Sequence, residues 1–330
     1  MWWDDDHVVG DNPELRRRIE SNDSTLDQLS IYPNQYGEFK DQNYIPPMTL
    51  ANWQNDGEAI GRNSNIKRFQ LKLPEDLDKD MFRVFCLGMA KNSSIEWLMI
   101  SYSKFGADIF NLLKPFFFQN ETLLELTLRG KIGSSKESVT YLCEALESFS
   151  SLQSISLSMG DSPNGMEAIH QSLSGHSKLK SMKLECTPTG EEMTSLVSIL
   201  KHPTSALTEL RLSGFSDSSL DDISAVQLAD GLKNNSSLKS LDLSSNSDVS
   251  VKGWEAIFAN SLQNPQSSIE KIRLTGSSLD DASAKALSNA LIHGSKSLKS
   301  LCVSNNRTIG TEGSPGGLAC ICFSVSLRMR

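Results

Sequence analysis

Pairs of adjacent carboxylates are the residues of this chain whose type and spacing could do chemistry. They occur at three places: Asp221-Asp222, Asp280-Asp281 and Glu191-Glu192. Two neighbouring carboxylates can act as general acid and base or can hold a divalent cation. Each pair, however, comes where a helical apolar pattern begins, and acids at that position cap free backbone N–H groups and favour the positive end of the helix dipole. We therefore expect these residues to cap helices.

The histidines and cysteines show no spacing typical of a metal site or of a nucleophile with its base. The histidines are His7, His170, His176, His202 and His293. None has a cysteine or an acid at a ligand spacing, so we expect them on the surface or at helix ends. Cys320 and Cys322 lack two further ligands nearby, and no G-x-S-x-G, P-loop or G-x-G-x-x-G segment follows a strand. The sequence thus predicts a protein that is not an enzyme, with no catalytic, metal-binding or cofactor-binding residue and no cofactor.

The composition narrows the class of protein. Of the 330 residues, 38% are hydrophobic, 7% aromatic and 22% charged, which fits one thin, extended core better than two compact ones. There is no run of about 18 apolar residues, the start lacks the pattern of a signal peptide, and the six cysteines show no disulfide framework. These features predict a cytoplasmic protein with free thiols.

The net charge of −8 belongs almost entirely to the N-terminal segment. Residues 1–65 hold 12 acids and 5 bases, whereas residues 66–330 hold 28 acids and 27 bases. A body with so little net charge lacks the basic face that nucleic acid or an anionic membrane selects. We expect neither as a partner.

A short apolar pattern recurs along most of the chain: one apolar residue, two others, a second apolar residue, one other, and a third apolar residue. An early copy is Leu26-Leu29-Ile31, and the later copies are Ile66-Phe69-Leu71, Ile95-Leu98-Ile100, Leu123-Leu126-Leu128, Leu152-Ile155-Leu157, Leu179-Met182-Leu184, Leu207-Leu210-Leu212, Leu238-Leu241-Leu243, Ile269-Ile272-Leu274 and Leu298-Leu301-Val303. The intervals between the first residues of the later copies are 29, 28, 29, 27, 28, 31, 31 and 29. Such regular spacing indicates a repeat protein.

Each unit has the pattern of a strand followed by a helix. Leu241, Asp242 and Leu243 alternate apolar and polar side chains, as a strand with one buried face does, whereas the apolar residues of 254–262 have helical spacing. Strands of successive units must run parallel, joined by right-handed crossovers, and only stacking buries the apolar side of each unit. The sequence therefore predicts an α/β fold, a curved right-handed solenoid that forms one elongated domain.

Two segments carry a family resemblance: LKSLDLSSNSDVSVKGWEAIFANSL, from 238 to 262, and LDDASAKALSNALIHGSKSLKSL, from 279 to 301. They resemble leucine-rich repeats of the ribonuclease-inhibitor type. The resemblance implies a horseshoe with parallel strands on the concave face and helices on the convex face. It also implies a protein that binds other proteins, usually through the concave face.

The patterns divide the chain into four segments. Residues 1–12 are expected to be an acidic mobile tail, 13–52 a degenerate N-terminal repeat and cap with an insertion, 53–310 the leucine-rich repeat solenoid, and 311–330 an irregular, uncapped C-terminal end. An uncapped end exposes apolar surface and a strand edge. We therefore expect a fragment of a longer protein, or an end covered by a partner or by self-association.

The sequence departs from the family pattern inside the repeats as well. The asparagine expected at the ninth position of each repeat is kept at Asn246 and Asn306 and also at Asn34, but it is replaced in the other units, which predicts less regular turns. Pro115 falls within the helical stretch 108–118, where proline removes a hydrogen bond, so this helix should kink or end early.

The third, fifth and seventh positions of the pattern point to the concave face. There we expect Trp97 and Met99 to be exposed apolar groups, flanked by the cations Arg68, Lys72 and Arg129. Trp and Arg are the side chains that most often anchor interfaces, so this group is predicted to bind a protein. The alternative is that Trp97 packs over the aliphatic stems of its neighbours.

A second group of cations on the same face could meet an acidic partner. Its members are Lys183, Arg211 and Arg273. The alternative is that they pair across adjacent strands with three acids, Glu185, Glu209 and Asp242.

The expected function is a non-enzymatic scaffold that binds a protein partner through the concave strand face. Two alternatives remain open. The first is a regulator of the GTPase-activating type, which is built on the same repeat and acts through polar residues on loops at the strand ends. The second is a repeat fragment of a larger sensor protein.

Overall fold

The computed structural model describes residues 13–31, 49–132, 135–158, 165–185, 188, 190–214, 219–294, 297–306 and 322–324. Within it the chain forms two compact units, residues 1–157 and residues 158–330. The predicted acidic tail at 1–12, most of the insertion before residue 49, and His7 lie outside the described residues, as do Asn34 and the side chains of Cys320 and Cys322.

The first unit alternates helices and strands in chain order. Its helices are α1 Pro13–Glu20, α2 Leu50–Arg62, α3 Lys79–Met89, α4 Ala107–Gln119 and α5 Lys136–Ser148. Its strands are β1 Gln28–Ile31, β2 Arg68–Lys72, β3 Trp97–Lys104, β4 Glu125–Lys131 and β5 Ser154–Ser158. Each of β1, β2 and β3 pairs in parallel with the strand that follows it.

The second unit repeats the same arrangement. Its helices are α6 Met166–Ser174, α7 Gly190–Lys201, α8 Asp222–Leu232, α9 Val251–Ser261 and α10 Asp281–His293. Its strands are β6 Ser181–Leu184, β7 Glu209–Leu212, β8 Ser240–Asp242, β9 Lys271–Arg273, β10 Ser300–Cys302 and β11 Cys322–Ser324. Strands β6 to β10 pair in parallel in chain order. The predicted fold class, an α/β repeat of parallel strands alternating with helices, is confirmed.

The apolar pattern forms the core as its spacing predicts. Ile66, Phe69 and Leu71 are fully buried, and Phe69 stands opposite Leu98 of the next strand, so the buried positions line up from strand to strand. Because side chains alternate along a strand, the residues between them lie on the other face of the sheet. Burying one such side chain contributes roughly 1.5–3 kcal/mol. The sheet of each unit is therefore held by apolar side chains that continue from repeat to repeat.

The acid pairs lie at helix starts. The Asp221 side chain caps α8 by accepting a hydrogen bond from the backbone N–H of Ser224, and Asp280 caps α10 in the same way with Ser283. Hydrogen bonds from the side chain and the backbone of Ser283 hold the pKa of Asp280 below its ordinary value. Glu191 and Glu192 lie in the first turn of α7. The prediction that these acids cap helices is confirmed for Asp221 and Asp280.

Two sequence-based expectations about helices need correction. An early end of helix α4 at Pro115 was one of two expected outcomes and is wrong: the helix continues to Gln119, and Phe116 and Phe117 beyond the proline are both buried. His170 is not on the surface but fully buried in α6. It lies on the apolar stripe of that helix, four residues after the buried Met166 and three before the buried Leu173.

A ladder of buried asparagines joins successive repeats. Asn63, Asn92, Asn120 and Asn235 each stand three residues before the first apolar residue of a repeat. The side chain of Asn92 donates to the carbonyl oxygens of Ile60 and Asn63 at 2.7 and 2.8 Å, and its oxygen accepts from two backbone N–H groups. These asparagines therefore satisfy backbone groups that the exit from one helix and the entry to the next strand leave open.

The last parallel strand has a neighbour that the sequence did not predict. Strand β11 pairs antiparallel with β10, with Leu301 opposite Phe323. The repeat pattern predicted a free strand edge here. The pairing with β11 instead satisfies backbone groups along that side of β10. The rest of 311–330 lies outside the described residues.

Among the helices in the described part of the chain, none is long and apolar enough to cross a membrane.

Candidate protein-binding surface

The strand register brings the predicted site residues of the first unit together. Arg68, Trp97 and Glu125 stand side by side at the start of β2, β3 and β4. Lys72 and Arg129 stand on either side of Ser101 near the other end of the same strands. Because side chains alternate between the two faces of a sheet, all of these residues lie on the face opposite the apolar core. We call this face, defined by Arg68, Lys72, Trp97, Ser101 and Arg129, the first-unit strand face.

Trp97 and Arg68 form a close contact on this face. The guanidinium carbon of Arg68 lies over the Trp97 ring, 4.6 Å from its centroid. Trp97 is partly exposed and Arg68 is exposed. A cation held over an indole gains about 0.5–1 kcal/mol at an exposed site. Each side chain therefore keeps the other in place while part of the indole still faces solvent.

Met99 is not the exposed apolar group that its position in the repeat predicted. Its side chain is 5% exposed, although it lies on the same side of β3 as Trp97. In the register it stands between Gln70 of β2 and Thr127 of β4. Strands lie about 4.8 Å apart, so neighbouring side chains of moderate length cover a methionine between them. Trp97 is thus the apolar group that this face offers.

A pocket opens at the carboxyl ends of β2, β3 and β4, and we call it the strand-end pocket. It has a volume of about 240 Å³, and its lining includes Lys72, Pro74, Glu75, Ser101, Tyr102 and Arg129. Among the residues that the structure describes, neither Lys72 nor Arg129 forms an ion pair. Burial raises the pKa of the Tyr102 phenol, and the negative charge of Asp108 adds to this effect. The phenol therefore remains a hydrogen-bond donor at neutral pH.

The backbone beside the strand-end pocket depends on a glycine. The register between β3 and β4 shifts between Ser101 and Lys104, next to Gly130, which has a φ of +146°. A Cβ atom at Gly130 would come within 1.6 Å of the carbonyl oxygen of Tyr102. Only glycine adopts this backbone conformation without strain and leaves that space open. Gly130 thus allows the close approach of β3 and β4 that places Tyr102 at the pocket.

The predicted cations of the second unit are already paired. Lys183 lies 3.9 Å from Glu209, Arg211 lies 3.6 Å from Asp242, and Arg273 lies 3.8 Å from Asp242. This confirms the alternative in which Glu209 and Asp242 neutralise these cations across adjacent strands. Glu185, by contrast, forms no ion pair in the part of the chain that the structure describes.

Asp242 occupies the centre of a three-strand arrangement. In the register it stands directly between Arg211 of β7 and Arg273 of β9. Its side chain is 10% exposed, whereas those of the two arginines are 44% and 48% exposed. The hydroxyl of Ser244 also donates to Asp242, at 2.6 Å. The carboxylate therefore accepts hydrogen bonds from Ser244 and lies within ion-pair distance of two cations of the chain itself.

The helix side of the second unit contains a buried histidine. The Nδ1 atom of His170 lies 2.8 Å from the hydroxyl oxygen of Ser195 and 3.1 Å from the carbonyl oxygen of Glu192. The Ser195 hydroxyl itself donates to the Glu192 carbonyl at 2.8 Å. Burial lowers the pKa of His170 from 6.5 to about 4. This contact joins α6 to the first turns of α7 beside a cavity of about 350 Å³.

No group of three or more His, Cys, Asp or Glu side chains that could hold a metal ion occurs within the described ranges.

No protein-family model matches this chain, and no curated protein matches it. Among solved structures, it is similar to leiomodin-1 actin-binding site 2, with 12% identity and a TM-score of 0.32 over 56% of this chain and 83% of that chain. It is also similar to a chain of the Rad7 and Elc1 complex of yeast, with 14% identity and a TM-score of 0.40 over 91% of this chain and 81% of that chain. At these values the similarities identify neither a family nor a partner for this chain.

Proposed function

We propose that this chain is a non-enzymatic, cytoplasmic protein-interaction scaffold built from leucine-rich repeats of the ribonuclease-inhibitor type. It binds its protein partner through the first-unit strand face and needs no cofactor. The repeat pattern of about 29 residues, with one strand and one helix in each unit, supports the assignment to this repeat type.

The observation that carries the proposal is the pairing of Trp97 with Arg68 on an otherwise polar face. The guanidinium carbon lies 4.6 Å from the ring centroid, so the contact favours one orientation of the indole before a partner arrives. A side chain that is already fixed loses less conformational entropy on binding. Tryptophan and arginine are also the residues that most often contribute large shares of binding energy at interfaces.

The charges of the two units support a site in the first unit. Lys183, Arg211 and Arg273 of the second unit each have a carboxylate nearby. Lys72 and Arg129 of the first unit have none among the described residues. Cations without an internal partner can form ion pairs with a bound protein without first breaking one.

The test compares protein capture by the full chain and by two alanine variants. Trp97→Ala removes the partly exposed indole, and Ile223→Ala removes a side chain that is 69% exposed on helix α8. Proteins captured from lysate are quantified by mass spectrometry, and thermal unfolding confirms that both variants fold. We expect Trp97→Ala to lose specific partners that Ile223→Ala retains. Equal capture by all three proteins would refute the site.

A further inference from the structure

The strand-end pocket has a simple arrangement of charges. Lys72, Ser101 and Arg129 stand opposite one another on three adjacent strands, so the two cations flank a small hydroxyl side chain. Since neighbouring strands lie about 4.8 Å apart, the backbones of the two cations are about 10 Å from each other. All three residues line the pocket of about 240 Å³. This space accommodates one inserted side chain between two positive charges.

The second unit has a similar row of charges two residues earlier in its repeats, with a carboxylate in the central position. Arg211, Asp242 and Arg273 also stand opposite one another on three adjacent strands. There the central residue supplies a carboxylate, which lies 3.6 and 3.8 Å from the two flanking cations. The first unit has Ser101 at the corresponding centre, and its two cations have no carboxylate in the described ranges. The chain itself thus contains one example of a carboxylate between two cations on adjacent strands.

The charge of the pocket favours a group with a single negative charge. Lys72 and Arg129 contribute two positive charges, and Glu75 in the lining contributes one negative charge. A carboxylate matches the single positive charge that remains. A phosphate group carries about −1.5 to −2 at neutral pH, which exceeds this remaining charge, and Glu75 repels it more strongly than it repels a carboxylate.

We propose that the strand-end pocket receives an aspartate or glutamate side chain from an acidic segment of the partner protein. The carboxylate lies between Lys72 and Arg129 above Ser101. The rest of the segment runs along the first-unit strand face toward Trp97. The inference rests on the proposed function, because it assigns the partner chemistry of the same surface.

The substitution Ser101→Asp tests the inference by placing a carboxylate where the partner's carboxylate would bind. It gives the first unit the arrangement that Asp242 gives the second. Ser101→Asn has nearly the same volume as Ser101→Asp without the charge and is the matched control. The full-length protein is used to select from a phage library of short random peptides, and the enriched peptides are synthesised for affinity measurement by fluorescence anisotropy.

We expect the enriched peptides to contain aspartate or glutamate and to bind Ser101→Asp about tenfold or more weakly than they bind the wild-type protein. Ser101→Asn should bind within about twofold of wild type, and Arg129→Gln should also weaken binding. Each peptide is remade with asparagine or glutamine for the acid, which should abolish binding, and with phosphoserine, which should not strengthen it. Thermal unfolding confirms that every variant is folded.

Three results would overturn the inference. The first is a selection that enriches no acidic peptide, and the second is an acidic peptide that binds Ser101→Asp as tightly as wild type. The third is tighter binding of the phosphoserine peptide or of a single-stranded oligonucleotide. Trp97→Ala separates this inference from the proposed function. Peptides that require Trp97 but ignore Ser101→Asp would leave the function in place and remove only the pocket.

Discussion

The guanidinium of Arg68 lies over the ring of Trp97, with 4.6 Å between the guanidinium carbon and the ring centroid. The two residues occupy the same register position on β2 and β3, so the sheet itself brings them together. A double-mutant cycle should therefore detect a coupling. We expect the free energies of unfolding of Arg68→Ala, Trp97→Ala and the double variant to differ from additivity by about 0.5–1 kcal/mol. Urea unfolding followed by circular dichroism measures all four proteins, and strict additivity would show that the contact has no energetic effect.

Protonation of His170 should make stability depend on pH. Burial lowers the pKa of His170 to about 4, whereas an unfolded histidine titrates near 6.5. Between these values the unfolded chain holds more protons, so the free energy of unfolding rises with pH across this window. The contribution is complete above about pH 6.5, is lost as the pH falls toward 4, and amounts to roughly 3 kcal/mol.

Urea unfolding at a series of pH values checks this prediction. His170→Gln should remove most of the slope in that window, whatever its effect at pH 7. His293→Gln alters an exposed histidine on α10 and is the control that should keep the slope. If His170→Gln left the slope unchanged, another group would have to be responsible for it.

Replacement of Asn92 should weaken the junction between two repeats. Its buried side chain makes four hydrogen bonds to the backbone, and Asn92→Ala would leave the carbonyl groups of Ile60 and Asn63 without these donors. We expect the free energy of unfolding to fall by about 2–3 kcal/mol. Asn111→Ala, at an exposed position of α4, should change it by less than about 0.5 kcal/mol. Equal losses in the two variants would contradict a role for the ladder.

An added methyl group at Gly130 should lower the free energy of unfolding far more than one at Gly175. Gly130 has a φ of +146° and no room for a Cβ atom beside the Tyr102 carbonyl. Gly175 has a φ of −78° and no neighbouring atom within 4 Å of an added Cβ. We expect Gly130→Ala to lower the free energy of unfolding by at least about 2 kcal/mol and Gly175→Ala to change it little. Hydrogen exchange in β3 and β4 would show whether the loss is local, and an undisturbed β3 in Gly130→Ala would mean that the close approach of the two strands does not depend on this glycine.

The fold could be predicted because one apolar pattern recurs at nearly constant spacing. Each copy places three side chains in the core, and Ile66, Phe69 and Leu71 show the result. The same register logic supplied the alternative, now confirmed for Glu209 and Asp242, in which acids on neighbouring strands pair with the cations of the second unit. Properties that depend on periodicity and register were therefore accessible from the sequence.

The exposure of individual side chains and the close approach of two strands were harder to predict. Trp97 and Met99 both lie on the predicted face, but only the neighbouring side chains decide that Met99 is covered. The burial of His170 could have been predicted from its place on the apolar stripe of α6. It was missed because histidine is a polar residue. The strand-end pocket was not predicted, and it lies beside a register shift between β3 and β4 next to Gly130.

The asparagine ladder has a consequence for covalent modification of the chain. The triplets at 92–94, 120–122 and 235–237 each match the Asn-x-Ser/Thr acceptor sequence for N-linked glycans. A glycan is attached to the amide nitrogen of asparagine, and in Asn92 that nitrogen donates to the backbone of the preceding repeat. The serine of the first triplet also bonds to the preceding repeat, because the Ser94 hydroxyl donates to the Ile66 carbonyl. A sugar at Asn92 would therefore be incompatible with the stacking of its repeat on the one before, and its presence in a preparation would mark molecules in which that junction never formed.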